Sequence, residues 1–172
     1  MTRRIGPVPG FTPAIGRMVA MLDQAREALL AAVEGLSTGE LDHLYDAHSN
    51  SIGALLAHAA AVERWHQLLV FEDRTSPDDD LQAWLPALDL GDEGRKRLRG
   101  RDLADYLKDL AEGRRATLQD LAGRDDAWFE APLPAAPSLN AHGAWFHVME
   151  DEIGHCGQIR WLRARLPGTR KA

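Results

Sequence analysis

The sequence predicts an all-α fold, a four-helix bundle with a long, irregular connection in its second half. Three observations carry that expectation. Sustained alternation of apolar and polar residues is nearly absent and β-branched residues are sparse, so there is little from which to build a sheet. Four long segments instead repeat apolar residues at three- and four-residue steps, the period of a helix with one buried stripe. Proline- and glycine-rich stretches separate these segments, and amphipathic helices of this length bury their stripes against one another.

The first segment carries Ile15, Met18, Val19, Leu22, Leu29, Val33 and Leu36, with Pro13 suited to an early helical position and Gly35 and Gly39 near the exit. The second runs from about Ser51 to Val70 through Leu55, Ala59, Val62 and Leu69, with Asn50 or Ser51 as its N-cap. The third, about Asp102 to Leu121, places Leu103, Leu107, Leu110, Leu118 and Leu121 at helical spacing. The fourth runs from about Asn140 to Leu166 through Ala144, Val148, Ile159 and Leu162, and stops at Pro167-Gly168. Residues 73–80 read as an acidic loop leading to a short helix near Leu81–Leu88, and 91–101 as a solvated cationic surface. Residues 123–138 hold three prolines and cannot be one continuous helix. Residues 1–12 read as a loosely held arm, 13–167 as a single bundle domain and 168–172 as a tail.

The chain has 172 residues, 45% hydrophobic and 27% charged, an ordinary globular balance. Its formal net charge of −6 argues against nucleic acid or an anionic membrane as a partner. No apolar run reaches the roughly 18 residues that span a bilayer, and the basic start leads into Gly6-Pro7-Val8-Pro9-Gly10 instead of a signal core. A single cysteine precludes an internal disulfide and a multi-cysteine zinc finger. The expectation is a soluble, cytoplasmic protein that takes a small-molecule substrate. The apolar helix faces suggest a homodimer.

Polar side chains on stripes that should be apolar are the informative feature. On the fourth helix the inward face passes from Val148 to Asp151 or Glu152, then to His155, Ile159 and Leu162. Asp151 and His155 lie about 40° apart around the axis and roughly 6 Å along it, close enough to share one ligand. His147 extends the row, but its eight-residue separation from His155 is about 12 Å of rise, too far for one coordination shell. His58 borders the apolar stripe of the second helix, followed by Val62, Trp65 and Leu69. His58 with Asp151 and His155 would form a two-histidine, one-carboxylate site for a divalent ion, with a coordination position left open. Glu152, three residues before His155, is the substitute carboxylate should Asp151 face away. Zinc is the first candidate metal, with nickel and iron as alternatives.

The stretches SIGALLAHAAAVERWH around His58 and HVMEDEIGHCGQIRWLR around His155 resemble the DinB/YfiT-like superfamily of metal-binding four-helix bundles. The resemblance spans most of the chain and implies that His58 and His155 are metal ligands. It places Asp151 where histidine is usual, although a branch that includes mycothiol-dependent maleylpyruvate isomerase uses a carboxylate there. It further implies thiol-dependent transfer or isomerisation, or hydrolysis, with a low-molecular-weight thiol as cosubstrate. Glu63, His147 and Glu152 are the candidates for a general base, although solvated surface is the simpler reading of Glu63.

Cys156 reads as a small packing residue, and Gln158 as a hydrogen-bonding support for a ligand. Gly154 and Gly157, unfavourable inside a helix, mark close helix approach or room for a ligand. Trp65, Trp145 and Trp161 read as core or interface residues, with an aromatic-lined pocket as the alternative. A non-enzymatic dimerisation or small-molecule-binding module, its polar row serving as a buried network that fixes helix register, is the rival reading. Pairing of Asp151 with a buried arginine would favour it.

Overall fold

The computed structural model describes residues 4–76 and 82–167. In chain order the elements are α1 (Pro13–Val33), α2 (Thr38–Leu41), α3 (Ile52–Phe71), α4 (Leu85–Asp89), α5 (Gly91–Arg97), α6 (Leu103–Ala122), α7 (Asp126–Glu130), β1 (Pro132–Leu133), β2 (Ala136–Asn140) and α8 (Ala141–Arg163). The four long helices, α1, α3, α6 and α8, are those the apolar periodicity marks. Residues 77–81, which include the second half of the expected acidic loop and the start of the short helix expected after it, lie outside the described residues, as does the tail 168–172. Among the described residues no helix is long and apolar enough to cross a membrane.

Local chemistry sets the helix starts. Ser51 accepts the Ala54 N–H at 3.1 Å to begin α3, and Asn140 accepts the Gly143 N–H at 2.8 Å to begin α8. The N-terminus of α1 is capped from a distance: the Asp126 carboxylate accepts the Ala14 N–H at 3.0 Å and the Thr12 hydroxyl. An anion there satisfies otherwise orphaned N–H groups and meets the positive end of the helix dipole. Residues 7–11 pack against α1 and the core. A Cβ on Gly16 would meet the Val8 nitrogen at 2.7 Å, and Val8 and Phe11 pack on the core.

Around the bundle α1 lies beside α8, α8 beside α3, and α3 beside α6. Contacts that advance together, Arg26 with Glu152 and Ala32 with Arg163, make α1 and α8 parallel. Gly53 against Tyr106 and Gln67 with Thr117 make α3 and α6 parallel. His58 against His155 and His66 against His147 make α3 and α8 antiparallel. The order is therefore up, down, down, up. Parallel neighbours cannot be joined by a tight turn, so the connection from α3 to α6 is long, and it carries α4 and α5. The irregular second-half connection, residues 123–140, carries α7 and the small antiparallel β1–β2 hairpin.

The apolar core falls into two clusters. One gathers Leu29, Val33, Leu41, Leu55, Leu56, Tyr106, Leu110, Ile159 and Leu162. The other gathers Ile15, Met18, Leu22, Leu69, Leu121, Phe129, Trp145 and Val148. Between them lies a layer of four buried charges, one from each long helix. Arg26 donates to Glu152 at 2.5 Å, to Glu63 at 2.8 Å and to the Leu110 carbonyl at 2.7 Å. Arg114 donates to Glu63 at 2.8 Å and to Glu152 at 3.2 Å, and the Thr117 hydroxyl donates to Glu63 at 2.8 Å. Glu63 is 1% exposed, which corrects the solvated role its sequence position suggests.

Burial acts to raise the Glu63 carboxyl, but Arg114 and Arg26 outweigh it and hold it below the usual glutamate range. At Glu152 burial prevails over Arg26, and the carboxyl is pushed up. A lowered folded value contributes stability that is present above the unfolded value and lost as pH falls through the folded one. A raised carboxylate works in the opposite direction, its cost relieved as pH falls. Glu63→Gln should therefore destabilise the bundle by about 3–5 kcal/mol at neutral pH, as expected for a buried ion-pair network losing one partner. Glu152→Gln should cost less, because the amide relieves part of the burial penalty. In urea titrations the gap between wild type and Glu63→Gln should narrow below about pH 4. A larger loss for Glu152→Gln than for Glu63→Gln would contradict this account.

Candidate metal centre

His58, Asp151 and His155 meet on the seam between α3 and α8. The Asp151 Oδ1 atom lies 3.5 Å from His58 Nε2 and 3.2 Å from His155 Nε2. The two imidazoles stand edge to face with centroids 4.8 Å apart. One ligand atom from each of the three residues falls within 4.8 Å of the others. Their side chains are 13%, 17% and 12% exposed, so the cluster is sheltered but reachable from solvent.

The outer hydrogen bonds decide what the inner atoms offer. His58 Nδ1 lies 2.7 Å from the Ala87 carbonyl of α4. A carbonyl only accepts, so the proton is on Nδ1 and the Nε2 lone pair faces Asp151. The His155 Nδ1 proton is oriented toward Gln158 Oε1 at 3.4 Å, which again turns the Nε2 lone pair inward. Two lone pairs and a carboxylate thus converge, an arrangement suited to a cation between them. Ligand atoms held at about 2.0–2.1 Å around a tetrahedral ion lie about 3.3 Å apart, close to the Asp151–imidazole separations. Asp151 Oδ2 is buried with no hydrogen-bond partner among the described residues, a further acceptor awaiting a positive charge. The donor set therefore fits a divalent ion.

A proton can take the place of a metal cation on either Nε2. Burial disfavours the Asp151 carboxylate, but hydrogen bonds from His155 and His58 in that protonated form overcome it and hold the carboxyl well below the usual aspartate range. Burial likewise disfavours a charged His58, yet Asp151 and the Ala87 carbonyl raise it overall.

Asp151 and Glu152 are adjacent, about 100° apart on the helix, and the fold separates their roles. Asp151 meets the imidazoles, whereas Glu152 turns inward to Arg26 and Arg114. Of the base candidates, Glu63 and Glu152 sit in the buried charge layer. His147 is more than half exposed, 3.8 Å from Glu150. Its ring lies 5.4 Å from that of His66, which is buried. Cys156 is buried, its Sγ donating to the Ala28 carbonyl at 3.4 Å, and burial pushes its thiol up. It packs, as the sequence suggests.

Gly154 and Gly157 are exposed, with nothing within 4 Å of where a Cβ would sit, so close helix approach does not account for them. The tryptophans divide. Trp145 is fully buried in the core, whereas Trp161 is 44% exposed, edge-on to Tyr45 at 4.7 Å and capped by Arg165 at 3.9 Å. Sequence reading missed Arg26 and Arg114. The available signal was their place on apolar stripes, Arg26 between Leu22 and Leu29, and Arg114 between Leu110 and Leu121. Nothing in the sequence pointed to the Ala87 carbonyl, which reaches His58 only through the crossover.

Comparison with curated proteins returned no match. A solved structure described as the conserved protein of a locus from Enterococcus faecalis shares the fold. It superposes with a TM-score of 0.67 at 18% identity, covering 88% of this chain and 95% of that one. The profile of the family described as mycothiol-S-transferase matches residues 17–168, a span that contains all four long helices apart from the first turn of α1, together with His58, Asp151 and His155. The chain therefore belongs to the mycothiol-S-transferase family, one of the DinB/YfiT-like families.

Proposed function

We propose that this protein is a divalent-metal-dependent transferase that joins a low-molecular-weight thiol, mycothiol or a close analogue, to a small electrophile. The observation that carries this reading is the convergence of His58 Nε2, His155 Nε2 and Asp151 Oδ1 with their lone pairs facing one another. A bound divalent ion, zinc ahead of nickel or iron, would supply Lewis acidity and favour the ionised form of a thiol at the open position. His58 and His155 are oriented by the Ala87 carbonyl and Gln158 so that neither presents a competing N–H inward. Asp151 supplies one negative charge. In the overall transfer the thiol loses its proton, sulfur forms a bond to carbon, and the leaving group departs with the electron pair of the bond it breaks.

With Glu63 and Glu152 held by guanidiniums, His147 is the base candidate that remains open to solvent. The rival structural reading needs a buried register-fixing network, and one is present. It is built from Arg26, Glu63, Arg114 and Glu152, which leaves the His58–Asp151–His155 cluster to metal binding. Exposed Leu30, Phe146 and Ile153 support the proposal of a homodimer.

Protein purified without chelator should carry close to one divalent ion per chain by elemental analysis, and His155→Ala should lose it. Gln158→Ala should keep the site but weaken metal affinity about tenfold, the scale of a lost supporting hydrogen bond. A protein that takes up none of zinc, nickel or iron when offered them would end the reading. With metal bound, release of chloride from monochlorobimane should require mycothiol and fall to background in His155→Ala. Light scattering should give twice the chain mass of 19.0 kDa, and a monomer would refute the dimer alone.

A further inference from the structure

A second polar group lies on the same seam. His66 follows His58 by two turns of α3, and His147 precedes His155 by two turns of α8, so the antiparallel packing brings them together with centroids 5.4 Å apart. His66 is 7% exposed, and its Nδ1 lies 2.8 Å from the Val62 carbonyl. That carbonyl can only accept, which places the proton on Nδ1 and leaves Nε2 as an acceptor with no hydrogen-bond partner among the described residues. Burial keeps the ring neutral, and the charged or titratable groups acting on it are His147, Asp151 and Glu63. Buried Val62 separates it from the His58 cluster. The ring is held by the backbone on one side while Nε2 stays open on the seam, an acceptor suited to a ligand that supplies a donor.

The geometry points to the His66–His147 pair as a second contact for the thiol cosubstrate, receiving a hydroxyl or amide N–H of its body at His66 Nε2. This rests on the reading that places the thiol sulfur at His58, Asp151 and His155. The eight residues from His58 to His66 amount to about 12 Å along the seam, a span that a thiol with a long hydroxylated body covers and a compact electrophile does not. His147, on the solvent side of His66, forms the outer wall of this contact.

The test compares two thiols on zinc-loaded protein by calorimetry: mycothiol, with a long polyhydroxylated body, and N-acetylcysteine, which is too short to reach His66. His66→Ala should weaken mycothiol binding about tenfold, the size of one lost hydrogen bond, and leave N-acetylcysteine binding and zinc content unchanged. His66→Gln, which retains an acceptor, should recover part of the loss. His147→Ala, an exposed site that does not threaten folding, should lower the mycothiol affinity about threefold or more. An unchanged ratio of the two affinities in His66→Ala and His147→Ala, or an equal loss for both thiols, would overturn the subsite while leaving the metal-centre reading intact. Failure of wild type to bind either thiol would overturn both.

Discussion

The interaction on which the structure depends is the layer of four buried charges formed by Arg26, Glu63, Arg114 and Glu152. Taking these groups out of water is expensive, and a single missing partner would leave a buried charge uncompensated. The layer therefore tolerates one axial register of the four long helices, the one in which each charge finds both opposite charges. Apolar stripes alone would accept several registers, since leucine and alanine side chains on sliding helices can exchange neighbours. With Glu63 and Glu152 both tied to Arg26, α3 and α8 are fixed against each other along their length. His58, five residues before Glu63, then meets Asp151 and His155.

The same layer explains why two adjacent acids have different fates. The helix turns by about 100° per residue, so with Glu152 drawn to the bundle axis Asp151 must lie on the flank facing α3. There a short side chain suffices, because its Oδ1 reaches both imidazoles from the same helix-to-helix distance. Asparagine at this place would lose the negative charge that favours a cation between the two inward lone pairs. The parallel course of α3 and α6 contributes in another way: it forces a crossover whose α4 brings the Ala87 carbonyl onto His58 and selects its tautomer.

Along the α3–α8 seam polar and apolar residues alternate. The His58 cluster, Val62, and the His66–His147 pair succeed one another. The mean hydrophobic pattern of α8 is correspondingly weak, because one helix serves the core, the charge layer and the seam at once.

The four long helices were legible from sequence because leucine and valine spacing reports directly on which face must leave water. Pro13, Ser51, Asn140 and Pro167 bounded them for equally local reasons. His58, Asp151 and His155 were legible as a group because their spacing on two helices suits shared coordination, and the family resemblance named the same residues. Helix order and direction were not, since the apolar pattern fixes a face but not which neighbour covers it. For the same reason Glu63 read as surface, and Arg26 and Arg114 went unremarked: a charge on a stripe gives no sign of its partners when these lie some 40 to 130 positions away. The sequence determined which groups the bundle would bring inward. Only the tertiary structure decided how they pair, because opposite charges and lone pairs act over a few ångströms that the chain itself does not span.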